Sequence, residues 1–385
     1  MLALWIIAVA SACWWLWQAT GMIRTLRSVP TIEPAPGRTA QNFVSVICPA
    51  RDEADEIEAA MRTRLSDSSS KLSFIAVDDR STDGTGEILD GLAKDEPRLQ
   101  VMHLTECPEG WLGKVHAQHR GIDASTGEWL LFSDGDTHVE PGMMAAALSH
   151  AHDEQADLLA VIPRIVGGPW MLRVGLVTLM RMLLGALRLW DANHDDRERV
   201  MGVGAFNLVR REALERAGGM GELRMEIADD AGLAHIVAQA GGRVRLASSP
   251  RGVWIKWYRT TGDLLRGTEK GCAKAGSRAK LLFGLALMPI LLTLEVSPFV
   301  LWIWWPAVPA LIAVVAAAVA ISTCQIIAAR FVLPRGGALF VPVSTLVTAV
   351  LLTRAISLAI IRGGILWKGD KHTLTAARAG ERVQI

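Results

Sequence analysis

Cysteine is scarce and scattered in this sequence. Its five residues, Cys13, Cys48, Cys107, Cys272 and Cys324, are odd in number, far apart and without a CxxC pair among 385 residues. That pattern excludes a disulfide framework and a thiolate zinc site, and reads as buried or bilayer-facing thiols in a reducing compartment. An excess of charge is also missing, because 40 Lys and Arg against 39 Asp and Glu leave a formal net charge of +1. Neither nucleic-acid wrapping nor a disordered acidic chain fits such a balance. Internal repeats and low-complexity linkers are absent as well. What is abundant is apolar surface: 51% of the residues are hydrophobic and the mean hydropathy is +0.28. This is too apolar for an ordinary soluble domain, and the apolarity is segregated.

Residues 2–20 (LALWIIAVASACWWLWQAT) carry no charge, and a helix of about 20 such residues spans a hydrocarbon core. No basic stretch precedes this run, as a cleaved signal peptide would require, and Trp14, Trp15 and Trp17 resemble an interfacial aromatic belt. Residues 1–22 are therefore expected to be an anchor, and Arg24 and Arg27 place the next segment in the cytoplasm. Residues 40–280 have the composition of a soluble α/β domain. Residues 42–48, 72–77, 99–104 and 129–133 read as short buried strands, with helical stretches such as 54–65 and 84–92 between them. Such alternation predicts a mostly parallel sheet that binds ligands at the carboxyl ends of its strands.

Residues 168–190 are apolar but carry Arg173, Arg181 and Arg188 at spacings of eight and seven. The three fall near one helical face, which fits either an amphipathic helix in the membrane interface or a core helix with a solvated basic stripe. Three further apolar stretches, residues 282–305, 307–329 and 339–361, approach spanning length. Three crossings from the cytoplasm would leave residues 364–385 outside, yet that tail is basic, so at least one stretch of the 281–363 region is expected to be re-entrant or interfacial. Glu295 and Arg354 interrupt these stretches. Intramembrane charge suggests function, but structural pairing or snorkelling is the stronger expectation for both.

The chemistry-bearing residues lie at strand ends. The first strand ends in Arg51-Asp52-Glu53 and the second in Asp78-Asp79, followed by Asp83, a reasonable helix cap. Acidic side chains at adjacent strand tips can accept hydrogen bonds from a base or ribose. The fourth strand runs into Asp134-Gly135-Asp136, whose oxygens suit Mg²⁺ or Mn²⁺ and hence a diphosphate. The Gly202–Phe206 run allows close backbone approach to a ligand. Asp229-Asp230 opens a helical stretch, where carboxylates stay ionised and one can act as a general base, although an N-cap with an acidic first turn explains the same pair.

In this order, Arg51-Asp-Glu53, Asp78-Asp79, Trp111-Leu-Gly-Lys114, Asp134-Gly-Asp136, Gly202–Phe206 and Asp229-Asp230 resemble the membrane-anchored family 2 glycosyltransferases with a GT-A domain. The segment Pro108-Glu-Gly-Trp-Leu-Gly-Lys114 looks especially like the hopanoid- and carotenoid-associated members. The resemblance covers roughly residues 42–275. It implies an α/β, GT-A (Rossmann-like) nucleotide-diphospho-sugar transferase domain, with N-terminal and C-terminal transmembrane helices in the inner (cytoplasmic) membrane. It also implies that Asp79, with Arg51, Glu53 and Asp78 nearby, holds the nucleotide of a nucleotide-sugar donor, expected to be a UDP-sugar. Asp134 would face ribose or sugar, Asp136 would ligate the metal and Lys114 would contact the donor. Gly204 would lie in the floor of the sugar pocket, Asp230 would be the catalytic base, and Asp229 would support it or bind the acceptor.

The chain departs from the processive members, which carry QxxRW. Its corresponding region reads Trp254-Ile-Lys-Trp-Tyr-Arg259 and continues to Lys270, so Arg259, Arg266 or Lys270 would supply the diphosphate contact, or the three form a basic collar on anionic lipid. A single sugar transfer to a hopanoid, carotenoid, sphingolipid or glycerolipid acceptor is the expected activity, and no nucleic-acid partner is expected. The alternatives are a non-catalytic membrane scaffold or transport subunit with a degenerate domain, and a processive polysaccharide synthase. A sugar-1-phosphate nucleotidyltransferase wants a Gly-rich loop after the first strand, and residues 48–53 contain no Gly.

Overall fold

The computed structural model describes residues 2–195, 197–258, 260–271, 277–303, 307–367 and 370–373. The first helix, α1 (Leu2–Ser28), is followed by alternating strands and helices: β1 (Val44–Ala50), α2 (Ile57–Leu65), β2 (Leu72–Asp79), α3 (Thr85–Asp95), β3 (Leu99–Leu104), α4 (Gly113–Asp123) and β4 (Trp129–Phe132). Next come β5 (His138–Val139), α5 (Met143–Asp153), β6 (Leu158–Ile165), α6 (Trp170–Ala186), β7 (Asn207–Arg210), α7 (Arg211–Arg216), α8 (Asp229–Gln239) and β8 (Val244–Ile255). Helices α9 (Thr261–Gly271), α10 (Arg278–Val300), α11 (Ala307–Arg330) and α12 (Val341–Arg362) complete the framework.

One eight-stranded sheet runs β3-β2-β1-β4-β7-β6-β8-β5. The β3-β2-β1-β4 half is parallel throughout, and β7 is inserted antiparallel between β4 and β6. Both faces of the sheet are covered, and its strands accordingly alternate between two cores. Ile47, Ile75, Val77, Leu130 and Phe132 point to one, while Val46, Cys48, Phe74, Ala76, Trp129 and Leu131 point to the other. This is the two-residue period of a strand buried on both sides. The second core belongs to the domain alone. The first continues into the apolar helices, since it also contains Trp15 and Met22 of α1, Leu176 and Met180 of α6 and Cys324 and Ile327 of α11.

Among the described residues, four helices are long and apolar enough to cross a membrane: Leu2–Ser28, Arg278–Val300, Val308–Arg330 and Arg335–Arg362. Helix α10 contains Pro289 and Pro298. A proline inside a helix leaves the carbonyl four residues earlier without its donor. For Pro298 that carbonyl belongs to Leu294, and the Ser11 hydroxyl of α1 donates to it at 2.5 Å. Beside it, Glu295 accepts from both terminal nitrogens of Arg181 at 2.9 and 2.5 Å and from Trp14 Nε1 at 2.8 Å. The Arg181 guanidinium also lies over the Trp15 ring, 4.6 Å from its centroid. This pair joins α1, α6 and α10 at one buried point.

The basic stripe expected on residues 168–190 is therefore not one environment. Arg181 and Glu295 side chains are 2% and 1% exposed, whereas Arg188 is half exposed and pairs with Asp191 at 2.9 Å. Eight of the 17 residues of α6 are buried, and a hydrogen bond between Thr178 and Ser344 ties it to α12 at 2.6 Å. Arg354, the other apolar-stretch charge, pairs with Glu269 of α9 at 2.7 Å. Both charges are thus consumed in pairing. Cys13, Cys48, Cys107 and Cys324 are in no disulfide, and Cys272 lies outside the described residues.

Candidate active site

The carboxyl ends of β1, β2 and β4 meet over a cavity of about 510 Å³, within the usual range for a small-molecule site. Arg51, Glu53, Asp79, Lys114, Asp134, Asp136 and Asp229 line it, with Trp111, Glu226 and Ile227 at its edge. The loops after β1 and β2 hold one another. Asp52, at a left-handed φ of 53°, receives a hydrogen bond from Thr82 N at 2.9 Å, and Glu53 N donates to Thr85 Oγ1 at 2.8 Å. Asp83 accepts from Ala54 N at 2.9 Å and from Thr85 N at 3.1 Å, so it bridges the two loops, while the N-cap position of α3 falls to Gly84 and not, as expected, to Asp83.

Adjacent residues at the end of β2 part company. The Asp79 carboxylate lines the cavity and is gripped by Arg80, through Nε at 2.7 Å and Nη2 at 3.1 Å. Asp78 points elsewhere: it accepts from Ser81 N at 3.1 Å and sits 3.0 Å from His103 Nδ1, and it is not among the lining residues. Gly113 explains part of the Trp111–Lys114 run, because a Cβ there would fall 2.1 Å from Asp79 Oδ2.

Lys114 is the electrostatic centre of the site. Its Nζ lies 2.8 Å from Asp134 Oδ1 and 3.0 Å from Asp229 Oδ2. Burial opposes its charge, but Asp134, Asp229 and Asp230 outweigh that and hold its pKa well above the ordinary lysine value. Gln118 Nε2 donates to the same Asp229 oxygen at 2.8 Å. Asp230 does not line the cavity. Its carboxylate accepts from Gly204 N at 2.9 Å and Ala231 N at 2.8 Å. Gly204 is the hinge between the two acidic motifs, since its carbonyl accepts from Asp134 N at 3.2 Å and a Cβ would lie 2.7 Å from Asp134 Oδ2. Gly202 is equally constrained, as a Cβ there would overlap the Asp230 carbonyl.

Negative charge is crowded at the Asp134–Asp136 turn. Burial, then the negative charges of Asp134 and Glu53, push the Asp136 pKa up to about 7, so the ionised form is destabilised by its own neighbours. A cation beside these oxygens would remove that repulsion. Among the described residues, no group of three or more His, Cys, Asp or Glu side chains is gathered as a ready-made metal site.

Sequence reasoning missed Arg64. It is 2% exposed, and its guanidinium reaches the main-chain carbonyls of this turn: Thr137 O from Nε at 2.8 Å and from Nη2 at 2.6 Å, with Asp134 O and Gly135 O alongside. An arginine in the helical run MRTRL reads as a solvated side chain, and nothing in the local pattern marks it. Arg259 lies outside the described residues. Arg266 is exposed and paired with Asp263 at 2.7 Å, and the Lys270 side chain is likewise outside the described set.

Comparison with known proteins agrees with this geometry. Residues 45–218 match the model of Glycosyl transferase family 2. It is 28% identical over 117 residues to the uncharacterised glycosyltransferase YibD of Escherichia coli (strain K12), covering 30% of this chain and 33% of that protein. It is 30% identical over 131 residues to the 4,4'-diaponeurosporenoate glycosyltransferase of Staphylococcus haemolyticus (strain JCSC1435), covering 33% of each. The chain thus spans about a third of the length of these relatives. In fold it resembles the mannosyltransferase PcManGT of Pyrobaculum calidifontis, solved with GDP-Man and Mn²⁺. The TM-score is 0.54 at 20% identity, covering 93% of this chain and 99% of that one. The sheet domain accordingly has a GT-A-like fold, as the sequence motifs led one to expect.

Proposed function

We propose that this chain is a membrane-bound, inverting, metal-dependent glycosyltransferase that moves one sugar from a nucleotide sugar, expected to be a UDP-sugar, to a hydroxyl of a membrane lipid. In this reading residues 1–22 are the anchor, 40–280 the cytoplasmic catalytic unit and 281–363 the C-terminal membrane region. One observation carries it: a single cavity brings together acidic strand tips, the Asp134–Asp136 turn, Lys114 and Asp229, and its lining residue Ile227 packs against the cluster of Leu281, Ala355 and Ala359 on two apolar helices.

Each side chain then has a task. Asp79, fixed by Arg80, offers acceptor oxygens to the nucleotide, with Arg51 and Glu53 beside it. Asp136, with Asp134 close by, would hold Mg²⁺ or Mn²⁺, which when bound neutralises the charge of a diphosphate leaving group. Lys114 adds a fixed positive charge in the same cavity, and preorganised charge of this kind is a large part of catalysis. Asp230, beside the cavity rather than in its lining, accepts from two main-chain N–H groups at the start of α8. It takes the proton of the acceptor hydroxyl as that oxygen bonds to the anomeric carbon and the bond to the nucleoside diphosphate breaks. Asp229, locked by Lys114 and Gln118, is the supporting carboxylate.

The test is transfer of label from UDP- and GDP-sugars into the organic phase by the full chain in lipid nanodiscs with Mg²⁺ or Mn²⁺. A metal-dependent lipid product is expected. Asp136→Ala should abolish it, and Asp230→Asn should slow it by roughly 10²- to 10⁴-fold, the usual worth of a general base. If no donor turns over with total membrane lipid supplied, the catalytic reading falls and a nucleotide-sugar-binding scaffold takes its place.

A further inference from the structure

Among the described residues, four helices have the length and apolarity of a crossing, yet Arg330, just before the last one, and Arg362, at its end, both make their contacts on the domain side. Helix α1 ends where the sheet domain begins, because Ser248 N donates to Pro30 O and Ile32 N to Ser248 O, both at 2.9 Å. Helix α10 also starts at the domain: its Leu281 clusters with Ile227 on the cavity rim. From there α10 runs away, reaching Ser11 and Trp14 in the distal half of α1 with its residues Leu294 and Glu295. Helix α11 comes back. Arg330 at its end donates to Val29 O at 2.9 Å and bonds Thr31, the point where α1 enters the domain.

The chain is thus on the domain side at Arg330, before the segment that leads into α12, and it is on the domain side again when α12 ends. Glu269 of α9 takes Arg354 at 2.7 Å on one oxygen and Arg362 at 3.0 Å on the other. Ala355 and Ala359 pack on Leu281. A helix of 22 residues that crossed would carry its last turn about 33 Å from the side where it started. Instead the preceding Pro334–Phe340 segment leans on α6, with Gly337 against Val174 and Phe340 edge-on to Trp170 at 5.4 Å. Thr178 then receives Ser344 one turn into α12.

We infer that residues 331–362 form a re-entrant hairpin that dips into the leaflet facing the domain and returns, so that α1, α10 and α11 alone cross. The occupant of its outer face is that lipid leaflet: Val343, Leu346, Val347 and Val350 are all roughly half exposed or more and form one helical stripe, continuous with the apolar surfaces of α10 and α11. Two consequences follow. The carboxyl terminus lies on the same side as the catalytic domain, where its basic tail satisfies the positive-inside rule. The returning arm also meets the catalytic domain, because Ile227 of the cavity lining packs against the same Leu281, Ala355 and Ala359 cluster, so the site lies beside the membrane-facing helices.

The inference rests on the membrane reading proposed above, and its test separates the two. The full chain with a carboxyl-terminal epitope is expressed in bacterial membranes, and sealed inside-out vesicles are treated with protease. Both the catalytic domain and the epitope should be digested. A protected epitope-bearing fragment of the α10–α12 size, in vesicles whose catalytic domain is digested, would overturn the hairpin and leave the membrane reading standing. Recovery of the intact chain in the soluble fraction would overturn both. A second variant reads the clamp: Glu269→Gln should leave the epitope on the digested side while speeding proteolysis at the α12 end several-fold, and unchanged proteolysis would remove Glu269 from the argument.

Discussion

Two ionic clusters in this chain use the same side-chain chemistry in opposite settings. In the cavity, Lys114 bridges Asp134 and Asp229 while its side chain stays 29% exposed. In the helical bundle, Arg181 and Glu295 close on each other at 2% and 1% exposure, with Trp14 taking up part of the remaining carboxylate capacity. A charge with room beside it can serve a ligand. One whose valences are filled by its neighbours serves assembly. The difference predicts that the two lysine- and arginine-centred clusters fail differently when broken.

Lys114→Met should cost transfer activity roughly a hundredfold or more, the usual effect of losing one preorganised electrostatic donor. Its effect on stability should be the smaller of the two, because Asp134 is 38% exposed and Asp229, though buried, keeps its hydrogen bond from Gln118. Glu295→Ala should do the reverse, lowering stability by about 3–5 kcal/mol because it strands a buried guanidinium. Replacing both partners, as Arg181→Met with Glu295→Leu, should restore most of that loss, since paired apolar groups of similar volume replace a buried ion pair at little cost. Thermal unfolding in one detergent, read beside transfer rates, checks all of these variants. Equal stability losses for Lys114→Met and Glu295→Ala would erase the contrast.

A smaller effect sharpens the cavity side. Arg64→Lys keeps a positive charge but loses the planar fork that reaches several carbonyls of the Asp134–Thr137 turn at once. If that fork orients the carboxylates, Mn²⁺ binding in the presence of UDP should weaken by roughly tenfold, at the low end of what outer-shell partners of a metal contribute. Electron paramagnetic resonance titration of free Mn²⁺ measures this without turnover. An unchanged affinity would make Arg64 a packing residue only.

How legible these features were depends on the distance over which each is determined. The first four strands were expected at 42–48, 72–77, 99–104 and 129–133 and occur within about two residues of those limits. Strands buried on both faces write themselves into the sequence as continuous β-branched and apolar runs. The antiparallel insertion of β7 was not foreseen, because nothing in the four residues Asn207–Arg210 encodes which neighbours they will pair with. At the site, the strand-tip motifs marked the region, but periodicity alone could not choose within them. Adjacent strand residues face opposite ways, so Asp79 meets the cavity and Asp78 meets His103. Likewise Asp229 lines the cavity while Asp230 is turned toward the Gly204 amide. Arg181 and Glu295 are 114 positions apart, and each alone resembles an interfacial or misplaced charge. Only the packed structure makes them a pair.

Asp78 supplies the most modest test of the contrast, because it has the burial of a structural carboxylate while sitting one residue from a cavity-lining one. His103 Nδ1 is 3.0 Å from Asp78 and Nε2 is 3.1 Å from Asp90. These two hydrogen bonds, Asp78 first, raise the histidine pKa above its ordinary 6.5. A histidine whose folded pKa exceeds its unfolded one stabilises the protein fully below the unfolded value, and that contribution disappears as pH rises through the folded value. Stability should therefore decline slightly from just below pH 6.5 upward through this group, and His103→Gln should flatten that part of the profile. The effect is small because the ring is 45% exposed and its pairs are screened by water. Melting temperatures of the two proteins from about pH 5.5 to about pH 8, a range that brackets the ordinary histidine value, decide it. If the wild-type slope survives in His103→Gln, the β2 end is held by main-chain bonds such as Ser81 N to Asp78, and the imidazole adds nothing measurable.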